Sequence, residues 1–121
     1  MEKLAEEFLN TYYATMMNNR NQLINFYTDN STLTYEGQTY RGLKEISEKF
    51  EGFSFNKIQF GLENFDHQES CIQGGLMILL SGKLTLDDQN KLQFSQFFHL
   101  LPNGNTYYVH NELFRVTAFD F

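Results

Sequence analysis

Apolar residues in the first part of the chain recur at helical spacing. Leu4, Phe8, Tyr12 and Met16 form one line, with Leu9, Tyr13 and Met17 beside it. That is a wide stripe on a 3.6-residue period, and it predicts a helix. Asn18 and Asn19 end it. Residues 20–27 read as a short second helix that buries Leu23, Phe26 and Tyr27. Residues 31–35 read as a short strand and Glu36-Gly37-Gln38 as a turn, because Gly supplies the positive φ of tight turns. Residues 39–41 return, Gly42 ends the segment, and residues 43–50 read as a third helix with Ile46 and Phe50 one turn apart.

From Phe55 onward the period changes to two. Ile58, Phe60 and Leu62 alternate with polar residues. Leu76, Ile78, Leu80, Leu84 and Leu86 share one face, with Met77 and Leu79 on the other. Leu92, Phe94, Phe98 and Leu100 alternate in the next run. In the last run the alternation places Tyr107, Val109 and Leu113 on one face, opposite Tyr108, Phe114 and Val116. These are long strands. The turn clusters between them, at 66–69, 87–90 and 103–105, are short enough to predict antiparallel hairpins. Gly74-Gly75 reads as a bulge or bend opening a strand. Helices followed by a meander predict an α+β class and a single domain over residues 1–121. Apolar residues on both faces around 77–80 and 97–101 predict a second buried surface, supplied by a homodimer packing sheet on sheet.

Composition sharpens the picture at two points. Thirteen Phe and seven Tyr, with no Trp, make 17% of the chain aromatic, and such side chains are enriched in cores and interfaces. The formal net charge is −6, and the nine Lys and Arg are scattered with no two adjacent. Nucleic acids and anionic membranes are therefore poor partners, and a basic protein surface is a good one. No apolar run approaches the roughly 20 residues of a membrane span, and the acidic start of the chain does not read as a signal peptide. A single cysteine, Cys71, allows no disulfide within the chain and fits a reducing compartment.

Candidate chemistry is sparse. His67, His99 and His110 form no metal-ligand pattern, although His99 and His110 can be neighbours across a hairpin. There is no nucleophile elbow and no phosphate-cradling glycine loop before a helix. General acid–base chemistry in a pocket between sheet and helix is the competing reading. Its candidates are Glu36, Asp66, Glu112 and Tyr12, with Arg115 or Lys57 as alternative partners for Asp66 and Glu112. It requires a buried carboxyl with a raised pKa. The apolar faces of residues 74–86 and 91–101 contain no Asp or Glu to serve. The composition thus favours a protein that binds other proteins over an enzyme, with no cofactor and no metal.

Taken in order, several segments resemble the nuclear transport factor 2 family. Phe8-Leu9-Asn10-Thr11-Tyr12-Tyr13, followed by Arg20, Leu23 and Tyr27, is similar to its first helix. Residues 31–37 are similar to its first strand, with Gly42 and Ile46 in register. Asp66-His67-Gln68, residues 94–100 and residues 111–115 are similar to later segments. The resemblance runs from about Phe8 to Arg115. It implies a cone-shaped, cystatin-like fold of helices on a strongly bent antiparallel sheet, dimeric through the sheets. It also implies a carrier that binds the GTPase Ran in its GDP form and phenylalanine-glycine nucleoporins, imports Ran into the nucleus, and resides in cytoplasm and nucleus with enrichment at the nuclear pore.

In such a carrier a phenylalanine from Ran's switch region enters the mouth of the cone. The resemblance assigns that mouth here to Tyr35, Phe53, Ile58, Leu92 and Phe94, with Glu36 and Asp87 meeting basic residues of the switch. Gln89 replaces a second family acid, and Asp88 stands beside it to compensate. The family tryptophan that meets pore repeats is absent. Leu4 is the nearest substitute, and Leu113 joins it in the implied nucleoporin site.

Overall fold

The computed structural model describes residues 1–119. Helix α1 (Glu2–Asn18) buries Ala5, Phe8, Leu9, Tyr12, Tyr13 and Met16. These are the positions that a 3.6-residue period brings to one face. Met17, read as part of the stripe, lies just off it and is exposed. The second helix is a 3-10 helix, Arg20–Phe26, which buries Leu23.

Strand β1 (Thr32–Tyr35) turns through Glu36 and Gly37, both at positive φ, into β2 (Gln38–Arg41). Helix α2 (Gly42–Glu51) follows at once. Its N-terminus lacks a cap from its own preceding residue. Asp29 supplies one by accepting from the Leu43 N–H at 3.2 Å, and Glu45 reaches back to the Arg41 N–H at 2.8 Å.

Four long strands complete the chain: β3 (Ile58–Glu69), β4 (Leu76–Leu86), β5 (Asn90–Asn103) and β6 (Thr106–Phe119). The sheet order is β2-β1-β6-β5-β4-β3. All pairs are antiparallel except β1 with β6, which runs parallel. The four long strands form the expected antiparallel meander. The β3–β4 connection lies further along than expected. Residues 66–69 continue β3, and the chain turns at 70–75, where Gly74 takes a φ of +80°. Gly74 and Gly75 thus belong to the turn.

Register shifts bend this sheet. Glu63 is extra between Leu62 and Asn64 in β3, and β6 gains one residue at His110 and another at Thr117. Bulges increase local twist and let a sheet curl. The bend brings backbones close at Gly82, where a Cβ would lie 2.6 Å from the Gly61 carbonyl oxygen.

The bulge at His110 also reverses the inside and outside of the last strand. Val109, Glu112 and Phe114 point inward, and Leu113 points out. The uninterrupted alternation had placed Leu113 with Val109, and that assignment is corrected. The core lies between the concave face of the sheet and α1, with Phe98, Leu23, Leu33, Ile46, Ile78 and Leu100 inaccessible to solvent.

Candidate partner-binding site

The helices do not close the concave face completely. A cavity of about 240 Å³ remains between α1, α2, the 52–55 loop and the wide end of the sheet. Aromatic residues wall it because both helices and the strand ends present them there. Tyr35 stacks on Phe114 with ring centroids 4.7 Å apart and planes 9° from parallel, and Phe114 in turn stacks on Phe94. Phe53 joins Tyr35 on one side and Phe55 on the other, at 5.5 and 5.1 Å. Offset and tilted packing of this kind fixes the rings as a rigid apolar surface.

Most residues expected at the mouth are found there: Tyr35, Phe53, Ile58 and Leu92 line the cavity. Phe94 does not. It is fully buried beneath the mouth, in contact with Phe60 and Phe114, and supports the wall from behind.

The acids stand just outside. Glu36 directly follows Tyr35 at a φ of +51° and accepts from the Val116 N–H. Asp87 and Asp88 occupy the tip of the β4–β5 hairpin, both at positive φ, with the Gln89 N–H bonded to the Leu86 carbonyl. That is the geometry of a type I′ turn. One oxygen of Asp87 accepts from the N–H groups of Asn56 and Lys57 at 2.9 and 2.8 Å, clipping the 55–57 segment to the hairpin. Asp88 pairs with the Lys57 ammonium at 3.1 Å in an exposed bridge. The Asp87 clip joins segments thirty or more residues apart in sequence, so local pattern gives no sign of it. Lys49 was also missed. Its ammonium sits over the rings of Tyr35, Phe53 and Tyr40 at 4.5, 5.4 and 5.6 Å.

At the floor lies Glu112, 3% exposed. It meets neither Arg115 nor Lys57, its expected alternatives. Gln96 donates to it at 2.6 Å, Tyr12 at 3.2 Å, and Tyr27 also donates to it. The Tyr12 and Tyr27 hydroxyl oxygens also lie 2.8 Å apart, and Tyr13 donates to Gln96. Burial pushes the Glu112 carboxyl up to about 7, opposed by the donors from Tyr27, Gln96 and Tyr12. Burial, reinforced by the charge of Glu112, drives Tyr12, Tyr13 and Tyr27 well above the ordinary tyrosine value. Tyr35 is pushed up to about 12 by burial, then by Glu36 and Glu112. The buried carboxyl required for acid–base chemistry therefore exists, on β6 rather than on β4 or β5. The other acids considered, Glu36 and Asp66, are exposed.

The outer face of the sheet carries a second feature. Leu79, Phe97 and Leu113 are directly paired across β4, β5 and β6, and Leu79 and Leu113 are 54% and 51% exposed. His99 and His110 do come together nearby, with ring centroids 5.8 Å apart, and the buried Nε2 of His99 has no partner. No group of three metal-ligating side chains occurs among the described residues. Leu4 is half-buried on α1 beside a shallow groove with Phe8 and Phe26. Within one chain it lies on the side of the sheet opposite Leu113.

Comparison with known proteins gives one consistent answer. The Nuclear transport factor 2 (NTF2) domain matches residues 4–116. The chain is 41% identical to nuclear transport factor 2 of Eremothecium gossypii over 114 residues, covering 93% of this chain and 91% of that protein. Identity to the Saccharomyces cerevisiae protein of the same name is 40%, with the same coverage. Nuclear transport factor 2 of Cryptosporidium parvum superposes with a TM-score of 0.91 at 33% identity, covering 96% of this chain and 94% of that one.

Proposed function

The chain belongs to the nuclear transport factor 2 family, and on that premise we propose that it is a nucleocytoplasmic carrier and not an enzyme. Its cargo is Ran in the GDP form. It carries Ran into the nucleus by contacting phenylalanine-glycine nucleoporins, and it moves between cytoplasm and nucleus with enrichment at the pore. The observation that carries this reading is the rigid aromatic mouth flanked by two backbone-anchored acids, Glu36 and Asp87.

A phenylalanine inserted between Tyr35, Phe53, Ile58 and Leu92 contributes about 1.5–3 kcal/mol by burial. Glu36, Asp87 and Asp88 meet basic residues around it and set register and association rate. Phe94 backs the wall without touching the ligand. Because Ran's switch segment differs between nucleotide states, the nucleotide alone controls release. Leu4 and Leu113 contact pore repeats weakly enough to let go at each step. They lie on opposite sides of the sheet, so each chain offers separate contacts.

The apolar row Leu79–Phe97–Leu113 supports a homodimer through the outer sheet face. A second reading, an isomerase or dehydratase of small apolar molecules, is favoured by buried Glu112.

Glu36→Lys tests the carrier reading. Binding to Ran-GDP is expected to fall at least tenfold while the dimer persists in sedimentation. Unchanged affinity removes Glu36 from the site.

A further inference from the structure

A buried carboxylate in a protein interior ordinarily has a cation beside it. Glu112 does not. Its three partners, Tyr12, Tyr27 and Gln96, are neutral donors. Of the described residues lining the cavity, Lys49 is the sole cationic side chain, and it is engaged at the mouth by three rings. An ionised carboxylate offers about four acceptor positions. Three are filled, and Glu112 is among the residues that line the cavity. When ionised, Glu112 thus presents a negative charge with no cation beside it and with spare acceptor capacity, at the floor of an aromatic chamber.

We propose that the cavity binds small hydrophobic ammonium ions, with Glu112 as counter-ion and the aromatic rings as the wall. An anion would be repelled by Glu112, and a neutral molecule would leave its charge unbalanced. An ammonium supplies charge and a hydrogen-bond donor together, and it gains from the faces of surrounding rings. The volume, about 240 Å³, lies below the 300–1,000 Å³ of drug-sized pockets. It fits one ring with a short aminoalkyl arm. This inference concerns the chain alone and does not rest on Ran binding.

The ionisation of Glu112 makes the test specific. Its carboxyl is pushed up to about 7, so the fraction ionised rises about tenfold between pH 6 and 8. The groups facing it are Tyr12 and Tyr13 from α1, Tyr27, Tyr35 from β1, Lys49 from α2 and Gln96 from β5. The tyrosines have raised pKa values and stay neutral over that window.

The experiment titrates the full chain, without any partner protein, with 2-phenylethylamine and with its neutral counterpart 2-phenylethanol, by calorimetry at pH 6 and 8. The expected result is that the amine binds at least tenfold more tightly than the alcohol at pH 8, that most of this preference is lost at pH 6, and that Glu112→Gln abolishes it. Equal affinity for amine and alcohol at pH 8 overturns the proposal. So does failure of the amine to bind at millimolar concentration, or amine binding that persists in Glu112→Gln and therefore comes from surface acids. The wild-type pH comparison stands if the variant fails to fold. Because no Ran is present, failure here leaves the carrier reading untouched.

Discussion

Glu112→Gln should make the protein more stable at pH 8 and leave it nearly unchanged at pH 4. The carboxyl is pushed from its ordinary 4.5 up to about 7 in the folded chain. Below pH 4.5 it is protonated in both folded and unfolded states. Between the two values the folded chain holds a proton that the unfolded chain has released, so stability falls as pH rises. The favourable contribution is fully present below the unfolded value and lost on passing the folded one. The gap between 4.5 and about 7, at about 1.4 kcal/mol per pH unit, amounts to about 3 kcal/mol. That is a large part of the 5–15 kcal/mol typical of a folded domain. Urea unfolding of wild type and variant at pH 4 and pH 8, at one chain concentration, isolates the term, because every other titrating group cancels between them. The variant is expected to gain about 3 kcal/mol relative to wild type on going from pH 4 to pH 8. Parallel pH profiles would refute the reasoning, and so would a wild-type advantage that grows with pH.

Leu113→Glu places a charge at the centre of the exposed row Leu79–Phe97–Leu113. It is expected to give a folded monomer in sedimentation, and an unchanged dimer would move the interface elsewhere. Gly82→Ala puts a Cβ 2.6 Å from the Gly61 carbonyl oxygen and 3.3 Å from the Phe94 ring. Forcing β3 and β4 apart there is expected to cost about 1–3 kcal/mol in urea unfolding, and a neutral result would show that the sheet bend can absorb the methyl group.

The helical face of α1 and the long strands were legible because their periods are long and regular. Local pattern failed where one residue was added. At His110 the bulge shifts the face of every later side chain in β6 until Thr117, since a strand's inside and outside follow a strict period of two. It sends Leu113 outward and brings Glu112 inside, so Glu112, a candidate acid in the sequence, finds Tyr12, Tyr27 and Gln96 as partners in place of Arg115 or Lys57. The mouth residues Tyr35, Phe53, Ile58 and Leu92 were found through resemblance. Phe94, one alternation from Leu92, lies deeper because the sheet bends over it. The roles of Lys49 and Gln96 come from packing between distant segments, which carries no local signature.

The most direct test of the carrier account is calorimetric titration of the purified chain with Ran, loaded in parallel with GDP and with a GTP analogue. The account predicts saturable binding to the GDP form and none to the GTP form. Equal binding to both forms, or to neither, would contradict it.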